Sequence, residues 1–586
     1  MPTKFVNYTI KLSVIGLLIV FCVIGTALAS VRESSQSIAL ENCQPVVPGK
    51  IYRFIEGVDH CVIPMDSQEI QQKLNDPFAI ALLRKGIFPD SAKEISEAIG
   101  ESDLNVSQTS YVVGEGSQVP LSVAKRDQPR DLRYVITWGE NQNDAQIMLS
   151  IGVPASQSSF HQVISWDDQA KAFNYYELRT QRNQLNGDSS TLVWSWAGNS
   201  PLARQPQTMG QGCYDCHHNG VPIMKELQFP WNNWHSQRVQ ISPNLVPVSV
   251  ANEPFFQQRT GGEVFEGAVR SNFQKYYQEW LRTRYLREGS NIKLRDVNQM
   301  LSHVITNTTV NLKSVNIQSN GENTSPPNQN VNGISPIDTF LWDSILQTRL
   351  GLDYQPLAVT FNRDDYDQYL KDHKFALVQR KSDRELYRED GSTYFAYFVP
   401  QVSAEDTYMT QQLLNTNILT KKFVASVAMV DFQNPLFSEK RTSLQKYAND
   451  ISEGTIINGV SSIPRDFASK VEAVASPCSD EASFDSCTAE EQFLYLWHLP
   501  DDQWQELTAN QLKTYIETVS SLEPTEQLNK LMQLSVKQRN RFASTPLICN
   551  LFEFNLLIPE TDFGEIPKCP ALSATTYQRE PQPSGF

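Results

Sequence analysis

The chain has no excess of basic side chains, no repeated unit, no glycine-rich loop of the kind that cradles phosphate and no serine set in a strand-to-helix elbow. It also has no second cysteine pair at zinc-site spacing. Each absence removes a class of function. The 50 lysines and arginines face 65 acidic residues, a formal charge of −15, so nucleic acid is not an expected partner. Without the phosphate loop a nucleotide-hydrolysing site of that type has no seat, and without the elbow a serine hydrolase of that type has no nucleophile. Without an internal period the chain is not a solenoid.

At 586 residues the chain exceeds one ordinary hydrophobic core, so at least two domains, or one core with large additions, are expected. Residues 1–29 have the pattern of an export signal: Lys4 and Lys11 are basic, Leu12 to Leu28 is almost wholly apolar, and Ala27-Leu28-Ala29 offers a small-residue cleavage site. The competing reading is an uncleaved anchor, since the run approaches the length of a membrane span. No other span is visible, and none is expected to remain after cleavage. Without Lys4 and Lys11 the basic count falls from 50 to 48 against 65 acidic side chains, a formal charge of −17. That charge suits a soluble exported body that meets a basic patch on a redox partner protein; it says nothing of oligomeric state.

Nine cysteines are present. Cys22 lies in the signal, Cys213 and Cys216 stand three positions apart, and the rest fall into the sequence-local pairs Cys43 with Cys61, Cys478 with Cys487, and Cys549 with Cys569. Three short-range disulfides in an oxidising compartment are the expected arrangement, with proximity as the only ground for that connectivity.

The hydrophobic pattern predicts an α+β protein: a β-rich N-terminal region leads into the Cys213–His217 segment, and a mixed, largely helical C-terminal region follows. Residues 30–106 supply a strap around Cys43 and Cys61 and helical periodicity over Ser67 to Lys85 and Ala92 to Ile99. Residues 107–317 form the next unit. Its short apolar or alternating runs around Tyr111, Tyr134, Ala145, Phe160, Ala172 and Thr191 are expected as strands, an aromatic stripe from Val264 to Leu281 predicts a long helix over residues 261–287, and Val297 to Ile305 a short one. Most of the strand aromatics, Tyr175, Tyr176, Trp194 and Trp196 among them, are expected in the core, with some free to wall a cofactor. Residues 318–333, rich in Asn, Ser, Pro and Gly, are read as a linker, 334–570 as the mixed C-terminal domain and 571–586 as a disordered tail. Thr488 with Glu491 forms a capping-box pattern, and Pro524 suits a first helical turn.

The stretch that carries chemistry is Cys213-Tyr214-Asp215-Cys216-His217. Two thiols three positions apart, with an imidazole at the next residue, are what covalent haem attachment requires: each sulfur adds to one vinyl group, and the histidine nitrogen binds iron from the proximal side. A zinc site or a thiol-exchange centre is the competing reading of the two cysteines. The export signal, the aromatic surroundings and the lack of a second zinc-spaced pair favour haem.

In this motif the chain resembles the c-type cytochromes, and the resemblance implies one covalently attached haem c. It assigns Cys213 and Cys216 as tethers and His217 as the proximal iron ligand, in the bacterial periplasm or cell envelope. The remaining surroundings are read from position. Met224 and His235 are the candidates for a sixth iron ligand, and Trp231 and Trp234 in the Pro230-Trp231-Asn232-Asn233-Trp234-His235 cluster are candidates to contact the haem. His218 is expected to point away from the iron, and His161 is expected to be structural unless a loop brings it to the haem edge. A narrower resemblance, over residues 110–220, is to the cytochromes that oxidise hydroxylamine with a lysine crosslinked to the haem. Lys125 and Lys171 are the lysines upstream, and no local motif assigns the crosslink to either.

Electron transfer is the common denominator of such proteins and is the first expectation. The alternatives are a haem oxidoreductase acting on peroxide or a small nitrogen or oxygen compound at an open distal face, and a haem-containing sensing or binding protein. No catalytic residue is assigned from sequence.

Overall fold

Residues 43, 45–115, 131–152, 161–182, 190–224, 234–237, 240–306, 308–309, 333–334, 344–357, 361–381, 384–390, 403–543 and 562 are described by a computed structural model. The expected signal and tail, the alternating Tyr394 to Phe398 run that reads as a strand in sequence, and Cys549 and Cys569 lie outside these residues. So does nearly all of the 318–333 stretch.

The chain is α+β, organised on a nine-stranded mixed sheet. Strands β1 (Tyr52–Arg53) and β2 (Ile63–Pro64) come first. They are followed by a meander of β3 (Ser107–Glu115), β4 (Asp131–Gly139), β5 (Ala145–Gly152), β6 (His161–Asp167), β7 (Ala172–Arg182) and β8 (Ser190–Asn199). With β9 (Arg259–Thr260) the order is β2-β1-β8-β7-β6-β5-β4-β3-β9. The meander is antiparallel throughout, whereas β1 joins β8 and β9 joins β3 in parallel.

Side chains alternate across a strand, and here both faces are apolar. Val112, Tyr134, Ile136, Val163, Tyr176, Trp194 and Trp196 pack on one face with Leu74, Phe78, Ile95 and Ile99. Those covering residues come from α1 (Ser67–Lys73), α2 (Pro77–Ala81), α3 (Ala92–Gly100) and their flanks. The pattern over Ser67 to Lys85 predicts one helix, and the chain instead breaks it in two. Asp76 accepts from the Ala79 N–H at 3.1 Å and Pro77 stands at the first helical position, so a new helix starts there.

Tyr111, Val113, Phe173 and Tyr175 point to the other face. Across it lies α4 (Gly262–Arg284), which buries Phe265, Ala268, Val269, Phe273, Tyr276, Tyr277, Trp280 and Leu281. The helix stops short of the expected end because residues from Tyr285 pair as β10 (Tyr285–Glu288) with β11 (Asn291–Arg295). Helix α5 (Val297–Ile305) matches its expected span.

Beyond it, β12 (Gly333–Ile334) pairs with β13 (Phe361–Asn362), α6 (Arg363–Asp372) follows, and β14 (Ala376–Lys381) pairs with β15 (Arg384–Asp390). Helices α7 (Ala404–Asn415) and α8 (Lys421–Ala428) come next, and then β16 (Glu453–Ile457), which extends the β10–β11 sheet, with β17 (Val460–Ser461). The described chain closes with α9 (Ile463–Glu472), α10 (Ala489–His498), α11 (Trp504–Ser520) and α12 (Pro524–Ala543). Thr488 and Glu491 make the expected capping box at α10.

The apolar cluster that starts at Tyr111 and Tyr175 on the sheet continues through α4 and α5 to Phe423, Phe467, Phe493, Leu512 and Leu531. Residues on both sides of the 318–333 stretch therefore share one core. Cys43 pairs with Cys61 and Cys478 with Cys487. No helix among the described residues is long and apolar enough to cross a membrane.

Asp76 ties the covering helices to the sheet. It is fully buried, accepts from Asn174 Nδ2 at 2.9 Å and also accepts from the Tyr176 hydroxyl. Asp76→Ala is expected to cost about 2–5 kcal/mol, from the lost helix cap and two stranded donors, read as a lower urea midpoint. A loss below about 1 kcal/mol would contradict this role.

Candidate functional site

The motif sits on the end of β8. A bulge in β8 sets Tyr175 opposite Gly198 and Tyr176 opposite Trp196, and the chain then turns through Ser200–Arg204 towards a second tight turn, Gly212–Asp215. Two contacts fasten this loop to the strand. The Tyr214 hydroxyl donates to the Asn199 carbonyl at 2.9 Å, and Gly220, at φ 73°, lies so close to Ser200 that a Cβ would collide with its backbone. The His217 N–H donates to the Cys213 carbonyl at 3.1 Å, closing one helical turn. That turn brings residues 213, 216 and 217 towards one side.

The His217 ring is held in one tautomer. Its Nδ1 lies 2.7 Å from the Val221 carbonyl oxygen, which only accepts, so Nδ1 carries the hydrogen and the neutral ring has its lone pair at Nε2. A histidine whose other ring nitrogen is engaged in this way is oriented to bind a metal. Its ring meets Tyr175 at 5.4 Å between centroids, and Tyr175 meets Tyr214 at 5.5 Å. Tyr175 is 1% exposed, and its hydroxyl has no hydrogen-bond partner among the described residues. A buried hydroxyl left this way costs about 1–3 kcal/mol, which marks a place where a polar partner is missing.

Cys213 is buried, and neither it nor Cys216 is in a disulfide. The Cys213 thiol donates to Glu177 Oε1 at 3.5 Å. Burial, and then the Glu177 carboxylate, push its pKa well above the ordinary thiol range, so it stays protonated. Zinc binding and disulfide exchange both use thiolates. Among the described residues no group of three or more His, Cys, Asp and Glu side chains is placed to hold a metal ion. Two unoxidised thiols, an oriented imidazole and an orphaned buried hydroxyl together fit a covalently attached haem.

Of the residues expected on the far side of the iron, His235 does not stand beside His217. His235 lies at the other end of the sheet: its N–H donates to the Val112 carbonyl on β3 at 2.9 Å, while His217 is beside Tyr175 on β7. Four strand spacings separate β7 from β3, roughly 19 Å at about 4.8 Å each. His235 Nδ1 also accepts the Ile241 N–H at 3.1 Å, so the neutral ring carries its hydrogen on Nε2 and has no lone pair for iron. Burial, and then Arg259, lower its pKa to about 4, which keeps the ring neutral. In this arrangement the His235 ring holds the turn to Ile241.

Met224 is 1% exposed, and its methyl group approaches Gly262 at the start of α4, beside Trp234. Trp234 bridges to Val113 and stacks on Phe265 at 4.8 Å. Both therefore pack near β3. Trp231, Asn232, Asn233 and Lys125 lie outside the described residues. His161 faces Trp194, on the sheet face away from the motif, and Lys171 pairs with Asp168 at 2.8 Å.

Some neighbours of the motif carried no sequence signal. Glu177 lies two residues beyond Tyr175 on β7, and Asn219, two residues beyond His217, donates to Glu405 Oε2 at 2.9 Å. No family model matches the chain, and no curated protein and no solved structure does so either.

Gly220→Ala tests the loop geometry. A residue with a Cβ at this positive φ is strained by about 1–2 kcal/mol before the clash with Ser200 is counted. A drop of several degrees in melting temperature is expected, and an unchanged melt would contradict the close approach.

Proposed function

We propose that the chain is an exported c-type cytochrome of the bacterial periplasm or cell envelope. It carries one haem c on Cys213 and Cys216, with His217 as the proximal ligand, and takes part in electron transfer with a partner protein. The observation that carries this reading is the Nδ1 hydrogen bond of His217 to the Val221 carbonyl, made within a loop whose two thiols remain outside disulfides while Cys43, Cys61, Cys478 and Cys487 are paired. When bound, haem c supplies one-electron redox chemistry.

The chain's own residues hold and orient the group. The Val221 carbonyl turns the His217 ring and raises the basicity of Nε2. Tyr175 packs against that ring and offers its buried O–H to a polar partner. Cys213 loses its S–H hydrogen when its sulfur becomes a thioether, which ends its hydrogen bond to Glu177. The acidic surface favours a partner with a basic docking patch.

A second reading, a haem oxidoreductase acting on peroxide or a small nitrogen or oxygen compound, is favoured by one observation: His235 stands four strands away from His217 and its Nδ1 lone pair is taken by the Ile241 N–H. Visible spectra separate the two. Electron transfer predicts thioether-linked haem in the alkaline pyridine assay and a six-coordinate low-spin spectrum in both oxidation states. A high-spin ferric spectrum that shifts on adding cyanide would replace it with the second reading, and absence of haem would overturn both. His235→Ala is expected to leave the spectrum unchanged.

A further inference from the structure

Beside the attachment loop, seven side chains close a buried ring of hydrogen bonds. Asn219 Nδ2 donates to Glu405 Oε2 at 2.9 Å and to Thr308 Oγ1 at 3.0 Å, and Tyr277 Oη donates to the same Glu405 oxygen at 2.6 Å. Arg204 donates to Tyr277 Oη at 3.2 Å and to His303 Nε2 at 3.0 Å. His303 Nδ1 lies 2.7 Å from Asp406 Oδ1, and Asp406 accepts from both the N–H and the hydroxyl of Thr308.

The geometry sets the charges. Arg204 is always a donor, so His303 accepts at Nε2, carries its hydrogen at Nδ1 and is neutral. One guanidinium then faces two carboxylates, those of Asp406 and Glu405. The ring is neutral when Glu405 holds a proton and carries one negative charge when it does not.

Glu405 is 3% exposed. Its titratable and charged surroundings are Tyr276 and Tyr277 from α4, Tyr175 from β7, Arg204 from the turn after β8, His303 from α5 and Asp406 beside it on α7. Burial raises its pKa, opposed by the Tyr277 and Asn219 hydrogen bonds, to about 7. Asn219, which holds this carboxylate, is two residues from His217.

We infer that Glu405 is a redox-linked proton site: it takes up one proton from water for each electron that a donor protein delivers to the haem iron held by His217, and releases it when the electron leaves. The inference rests on the haem reading above. An added electron makes the low-dielectric interior more negative, and a proton on the nearby carboxylate compensates it. The balance is one electron from the donor, one proton from water, and a carboxylate converted to a carboxylic acid. Arg204 and Thr308 keep the ring in partial contact with solvent, which gives the proton an entry side.

The test is a redox titration of the holoprotein from about pH 5 to about pH 9. The midpoint potential is expected to fall with rising pH around neutrality by up to about 59 mV per unit, the value for one proton per electron. Glu405→Gln should keep the haem and flatten the slope. It should also remove a carboxylic-acid band from the reduced-minus-oxidised infrared spectrum. Tyr277→Phe removes a hydrogen bond that favours the charged form, so it should move the sloping region to higher pH. A flat midpoint in the wild-type protein, or an unchanged slope in Glu405→Gln, would overturn the Glu405 assignment while leaving the haem in place. Absence of thioether haem would overturn both.

Discussion

Strict alternation of side chains along β7 and β8 is the constraint on which the rest of the structure depends. Tyr175 and Tyr176 are neighbours in sequence, yet one belongs to the core under α4 and the other to the core under α1 to α3. The bulge opposite Gly198 preserves that division at the strand end from which the cysteine loop departs. A register slip of one residue would exchange Tyr175 and Glu177 for Tyr176 and Leu178 at the motif. His217 would lose its aromatic neighbour and Cys213 its carboxylate partner.

Much of the scaffold was legible from local chemistry. The strands around Tyr111 and Tyr134 read as near-continuous apolar runs because both faces are buried, α5 has a clear apolar stripe, and Thr488 with Glu491 announces its own helix start. The break inside Ser67 to Lys85 was legible in principle, since Asp76-Pro77 is a cap followed by a favoured first position, but the apolar period runs straight through it and hides the stop. The shortened end of α4 was not legible, because Tyr285 leaves the helix for a strand partner near Leu294.

Cys213, Cys216 and His217 could be proposed as a haem site by spacing alone, because that chemistry demands adjacency. Tyr175 could be named only as one of several aromatics, with nothing in its neighbourhood to separate it from Trp194 on the opposite face. The Asn219–Glu405 and Tyr277–Glu405 contacts join residues 186 and 128 positions apart, so no local pattern reports them. The distal candidates show the opposite relation between sequence and space. Trp234 and His235 lie close to the motif in sequence but pack at β3, where the His235 ring accepts the Ile241 N–H.

The Asn219–Glu405 contact also bears on biogenesis. Cys213 is 8% exposed in the folded chain, and residues made long after it help to close the structure over the loop. On the haem reading proposed above, thioether formation at these sulfurs would have to precede the packing of the later helices over the loop. Contacts so distant along the chain form slowly, which on that reading would leave an interval for loading.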